Sequence, residues 1–304
     1  MATNNLRIIY DNVVDLTTTT ITASSTGGTT STANLKKDTK SLVWRSGTGT
    51  SSAKGNLVIS LAAATIIGGV ILPFCNLTTT ATIRVRGFTG TTPTLGGTVD
   101  APTVSTTGAT LKFDTGTISA CPYQQLGLWN WGSLPLGVNA YSYGGGTYGR
   151  CWIPVVSQIS CTSLVIEIVD TANTTDKYIE LSRLVVGSYW TPVHNTSFGL
   201  STIAKDLSSH QRTESGDLIT SRGTRFTSMT FDMNWLTPAD RLDFNRIVKG
   251  NGLPRPLFIS LFPDNSSDWE KEQAHQVYGK LAQLSAIQHP IFDTYSTQVE
   301  IEGI

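Results

Sequence analysis

Apolar, β-branched residues come in short runs early in the chain, at 42–44, 57–61 and 66–74. From 81 to 88 the pattern becomes alternation. Thr80, Thr82, Arg84 and Arg86 fall on one face, and Ala81, Ile83, Val85 and Gly87 on the other. Period two predicts a half-buried strand, and the unbroken run at 66–72 predicts one covered on both faces. Turn-forming stretches at 47–55 and 76–80 separate these runs. The pattern predicts a mainly β chain with a β-sandwich at its core.

The same reading extends along the chain. Short strands are expected at 6–10 and 17–23, with a Ser/Thr/Gly loop between them and the Trp44 strand. Residues 87–108 read as a surface excursion, and 110–114 as a weak strand. Residues 164–169 and 178–186 read as a hairpin that closes the sandwich at Tyr189-Trp190, with Pro192 as its stop. Residues 195–207 read as a connection. Beyond it the grammar changes: 225–235 alternates, with Phe226, Met229 or Phe231, Met233 and Trp235 along one strand, and Thr237-Pro238-Ala239-Asp240 supplies an N-cap, a first-position proline and a first-turn acid. A helix over 238–249 follows, with Leu242, Phe244, Ile247 and Val248 expected on its apolar side. Strands at 257–262, 275–287 and 294–301 complete the unit, with a loop at 263–271.

Several of these residues resemble a known family. Asn34-Leu35, Val43-Trp44-Arg45-Ser46, Val58-Ile59-Ser60-Leu61, Ile71-Leu72-Pro73-Phe74, Asn76-Leu77 and Ile83-Arg84-Val85-Arg86 resemble the galactose-binding-like (discoidin-type) jelly roll, in the variant found in tail proteins of long-tailed bacteriophages. The last third resembles the small β-barrel-with-one-helix module of phage tail-tube and distal-tail proteins. The resemblance implies two domains: a jelly-roll sandwich at 1–195 with an insertion at about 121–152, and an α+β tail-tube-like barrel at 196–304. It further implies a structural virion protein of the tail tip or baseplate, made in the host cytoplasm. Its ring would join tail tube to hub and fibres, with itself and those tail proteins as partners. The alternative is a carbohydrate-binding receptor-recognition protein of the tail. Ring contacts would come from 226–235, 240–248 and 277–287, through Phe226, Phe231, Trp235, Asp240, Arg241 and Phe244.

The 121–152 segment has no strand or helix period. It carries Tyr123, Trp129, Asn130, Trp131, Tyr141, Tyr143, Tyr148 and Trp152 among many glycines. Long irregular segments in compact domains are usually functional or disordered. Three readings stay open: rings stacking on sugar faces with Gln124 and Asn130 as hydrogen-bond donors, anchors of a protein interface, or a cap on the sandwich.

Composition narrows the partners. Hydrophobic residues are 39% and charged residues only 14%, with zero net charge; soluble domains average about 25% charged. A surface partly covered by neighbours fits that depletion, and the lack of a basic stripe argues against nucleic acid. The start lacks a basic n-region and a long apolar stretch, so no secretory signal is predicted. The run at 57–75 is broken by Ser60, Thr65, two glycines and Pro73, so no membrane insertion is predicted. Cys75, Cys121, Cys151 and Cys161 lack zinc spacing and read as buried thiols, or as one disulfide within 121–161.

Catalytic signals are thin. His194, His210, His275 and His289 are isolated, and no HExxH, GxSxG or phosphate loop occurs. His210 among Ser208, Ser209, Glu214 and Asp217 reads as a polar loop. Glu300 and Glu302 read as a solvated strand face, and Asp170 with Asp176 as an Asx-rich turn before a calcium site. No enzyme, cofactor or metal is expected.

Overall fold

The computed structural model describes residues 5–121, 148–154, 157–264 and 269–304. Contacts divide the chain into two compact units. One is Ile9–Tyr189 with Asp264–Gln276; the other is Met1–Ile8, Trp190–Pro263 and Val277–Ile304. Two segments therefore lie across the break expected near 195. The apolar strand Arg7–Ile9 neighbours Leu257–Ser260 in the C-terminal unit's sheet, and residues 264–276 return to the sandwich.

The sandwich unit is built on the antiparallel order Ile118–Ser119, Thr82–Gly90, Ser160–Asp170, Ala53–Ile66, Thr20–Ala23. Ala109–Asp114 also pairs with Thr82–Gly90. A smaller sheet contains Gly149–Trp152, Gly69–Leu72 and Val185–Gly187, and Trp44–Arg45 pairs separately with Glu180–Leu181. Trp44, Leu57, Ile59, Ile83, Val85, Ile166 and Ile168 join Val70, Leu72, Leu181 and Val186 in one core. The alternation read at 81–88 holds, since Ile83, Val85 and Gly87 are buried between half-exposed Thr82, Arg84 and Arg86.

Four expectations change. The run at 66–74 is divided: Ile66 ends the long strand Ala53–Ile66, and Gly69–Leu72 starts a strand of another sheet with all four residues buried. The hairpin at 164–186 does not form, because Ser160–Asp170 already has a neighbour on each edge. Its expected return strand instead splits into Glu180–Leu181 and Val185–Gly187, which pair elsewhere. The excursion at 87–108 contains the hairpin Thr94–Gly97 and Pro102–Ser105. Its Leu95 and Val104 cover a second apolar cluster of Val58, Phe88 and Val165.

The C-terminal unit has the strand order Arg7–Ile9, Leu257–Ser260, Gln276–Leu281, Thr294–Gly303, Arg225–Leu236, Ser201–Asp206, with Ile287–Ile291 also pairing Thr294–Gly303. Ser201–Asp206 lies where a connection was expected; its polar residues hide the strand signal. The helix is Pro238–Asn251, and Thr237 and Asp240 form a full capping box. Asp240, Phe244, Ile247, Val248 and Asn251 form its buried stripe, at the i, i+4, i+7 spacing of one helix face. Leu242 was expected on that side but is 55% exposed, because two residues past Asp240 the helix has turned away. The loop expected at 263–271 ends in the short helix Trp269–Ala274, and the strand expected at 275–287 is two, Gln276–Leu281 and Ile287–Ile291. Among the described residues no helix is long and apolar enough to cross a membrane.

Candidate functional site

The residues that flank 122–147 on either side form a buried root in the sandwich. Ala120 and Cys121 are inaccessible to solvent, and Ala120 N–H donates to Ala81 O at 2.9 Å. At the other end all of Gly149–Trp152 is buried, paired from Gly149↔Leu72 to Trp152↔Gly69. Arg150 N–H donates to Ala120 O at 2.9 Å, so the two flanks run side by side. Gly69 has a steric reason: a Cβ there would lie 2.9 Å from the Trp152 ring. Trp152 also meets Tyr189 edge-on, with ring centres 5.6 Å apart.

Under this root lies a buried ion pair. Arg150 donates to Glu272 through Nε at 3.0 Å and Nη2 at 2.6 Å. Glu272 Oε1 also accepts from Trp152 Nε1 at 3.3 Å and Asp264 N–H at 3.2 Å. Burial works against the Arg150 charge, but the carboxylate outweighs it and raises the guanidinium pKa. Sequence reasoning missed Glu272, which falls between the loop read at 263–271 and the strand read from 275, 122 residues from its partner.

Of the residues read as a glycan or protein contact, Tyr123, Trp129, Asn130, Trp131, Tyr141 and Tyr143 lie outside the described residues. Tyr148 is buried, edge-on to Phe74 at 6.4 Å, which places it in the root and not on the surface. Phe74 has a left-handed φ of 56°, and Lys40 Nζ sits 4.5 Å from its ring centre. Burial lowers the Lys40 pKa.

All four cysteines are buried and free. Burial pushes the Cys151 and Cys161 thiols up to about 12, so they stay protonated and unreactive. The Cys75 thiol is lowered, chiefly by a hydrogen bond with Cys121; Cys121 thus meets Cys75, outside the 121–161 set in which a disulfide was weighed.

The expected ring contacts fall into two groups. Phe231 and Phe244 are core residues and Asp240 is taken up by the cap, so none offers contact surface. Phe226 is half-buried under Lys205. Trp235 is 58% exposed, because a register shift between Met233 and Leu236 turns it outward and Leu236 inward. Arg241 is half-buried, its guanidinium 4.6 Å from the Tyr295 ring centre.

The same unit exposes apolar side chains that the sequence reading did not single out: Phe198, Ile203, Leu207, Leu218, Ile219, Leu253, Leu284 and Phe292. Leu218 and Ile219 belong to a hairpin, Ser209–Arg212 with Leu218–Ser221, in which every residue is exposed. Two-stranded hairpins alone are marginal in water.

The remaining chemical candidates make local hydrogen bonds and ion pairs. His210 Nδ1 meets Thr220 Oγ1 across that hairpin at 2.9 Å, and Ser215 and Asp217 bond within its turn. Lys205 bridges Glu300 at 3.2 Å and Glu302 at 2.6 Å. Asp170 is fully buried and accepts four hydrogen bonds within 3.2 Å, from Thr78 N–H and Oγ1–H and from the Ala172 and Asn173 N–H groups. Among the described residues no three His, Cys, Asp or Glu side chains cluster as metal ligands.

No family model and no curated protein matches this chain. Solved structures overlap part of it. A GH29 fucosidase of Ruminococcus gnavus in complex with fucose is 13% identical with a TM-score of 0.36, over 59% of this chain and 27% of that one. The chain thus spans about a quarter of that enzyme's length. Chitosan-binding module 1 of a chitosanase/glucanase from Paenibacillus sp. IK-5 is 12% identical, TM-score 0.35, over 59% and 99%. The family 32 carbohydrate-binding module of Clostridium perfringens NanJ, in complex with galactose, is 10% identical, TM-score 0.32, over 59% and 98%. All are distant likenesses, and the sandwich described above stands on this chain's own strand pairing.

Proposed function

We propose that this chain is a non-catalytic glycan-binding protein that works as one subunit of a larger assembly. The observation that carries the binding role is the root of the 122–147 segment. Its flanks are buried, bonded side by side and braced by Arg150 and Glu272. Folds commonly carry recognition on a segment held by a rigid scaffold. Trp129, Trp131, Tyr141 and Tyr143 would supply ring faces for sugar C–H surfaces, and Gln124 and Asn130 the hydrogen bonds that fix orientation. The test is loss of glycan binding on Trp129→Ala with Trp131→Ala.

A second reading keeps the assembly and drops the sugar: a ring at a phage tail tip, joining tube to hub and fibres, with the sandwich as scaffold. The exposed apolar side chains of the C-terminal unit and its bare hairpin favour it. A closed ring requires a heterologous interface whose rotation closes. Native mass measurement is expected to give one uniform oligomer, and Leu218→Asp with Ile219→Asp to shift it to smaller species. A chain that is monomeric at every concentration, with no oligomer for the variant to lose, would count against self-assembly.

A further inference from the structure

Beside the helix Pro238–Asn251 lies an open groove of about 490 Å³, within the roughly 300–1,000 Å³ of small-molecule sites. Arg241, Asn245, Ser285, His289 and Tyr295 line it, with Leu242 and Ile287 as apolar wall. Arg241 and His289 both rest against the Tyr295 ring, each at 4.6 Å, the imidazole within 17° of parallel. Among the described residues the Arg241 guanidinium has no carboxylate and no hydrogen-bond acceptor, whereas Arg246 on the same helix pairs with Asp243 at 3.2 Å. Ser285 Oγ is likewise without a hydrogen-bond partner. A stacked cation with unused donors is a preorganised seat for a carboxylate, which a guanidinium grips in two parallel bonds.

Ser285 is shared with an adjoining groove of about 360 Å³, lined by the carboxamides of Asn234, Gln283, Gln288 and Gln298 and, as its one carboxylate among the described residues, by Asp232. Carboxamides both donate and accept, which suits the hydroxyls of a sugar chain. Nucleic acid would call for several cations, and among the described residues Arg241 is the one arginine or lysine lining either groove.

We propose that these grooves form a second saccharide site, in which Arg241 takes the carboxylate of an acidic sugar and the carboxamide groove takes its neighbours. The ligand class rests on the glycan reading above; the location does not.

The test titrates the full chain with 3′-sialyllactose and with lactose, which differ only by the acidic sugar, alongside inorganic sulfate. The acidic ligand is expected to bind roughly ten- to hundredfold more tightly than lactose. Arg241→Gln is expected to erase that preference with the melting temperature unchanged, Arg241→Lys to keep part of it, and the Trp129→Ala, Trp131→Ala variant to keep all of it. An Arg241→Gln protein that still prefers the acidic ligand overturns the proposal. So does sulfate binding as tightly as sialyllactose, which would mean an anion seat only. So does an Arg241→Gln change that alters native mass, which would mean a carboxylate of a second copy. Loss of preference in the tryptophan variant but not in Arg241→Gln removes this site and leaves the sandwich reading intact.

Discussion

Replacing Glu272 with alanine is expected to destabilise the sandwich unit by about 3–5 kcal/mol, the usual result of removing one partner from a buried ion pair. Arg150 and Glu272 side chains are 4% and 0% exposed, so the pair is shielded from bulk solvent. The guanidinium would be left charged in the interior, and Trp152 Nε1 and the Asp264 N–H would lose their acceptor as well. Chemical denaturation of the full chain reads this as a lower midpoint. The double change Arg150→Met with Glu272→Leu is expected to recover most of the loss, since apolar replacement of a whole buried pair is often neutral or stabilising. A single variant as stable as the parent would mean that the 264–276 segment does not brace the root.

Asp170→Ala is expected to cost about 3 kcal/mol or more, because hydrogen bonds to a charged acceptor contribute about 1.5–3 kcal/mol each and their donors would remain buried. The carboxylate holds Thr78 on one side and the 171–173 turn on the other. It thus joins the entry to the strand Thr82–Gly90 with the exit from Ser160–Asp170. Asp170→Asn keeps one carbonyl oxygen and is expected to lose roughly half as much. Melting with and without calcium should coincide, since the carboxylate oxygens already serve these turns. A calcium-dependent rise would restore the metal reading of Asp170 and Asp176.

What the sequence made legible were the features set by local periodicity. The alternation through Ile83 and Val85, the capping box at Thr237 and the final strand with Val299 and Ile301 inward all depend on neighbouring residues. Features set by remote partners were not. Val185–Gly187 reads as the return arm of a hairpin until Ser160–Asp170 is seen to have both edges occupied. Trp235 continues the alternation of Phe231 and Met233 in sequence, and only the register shift before Leu236 reverses its face. Glu272 looks like an ordinary surface acid, and Arg241, Ser285 and Tyr295 share a groove only because three separated segments meet there. The aromatic segment is legible as a type of chemistry, from Trp129 to Tyr143, while its buried root depends on pairing between Gly149–Trp152 and Gly69–Leu72.

Glycan binding by the 122–147 aromatics is tested by a glycan microarray of the full chain, followed by titration of the strongest hit against the parent and the Trp129→Ala, Trp131→Ala variant. A defined glycan is expected to be captured, and affinity to fall roughly tenfold or more in the variant, the order of loss for two aromatic platforms, with an unchanged melting temperature. Capture of no glycan by the parent, or equal affinity in the two proteins, would contradict it and leave the purely structural ring as the reading to pursue.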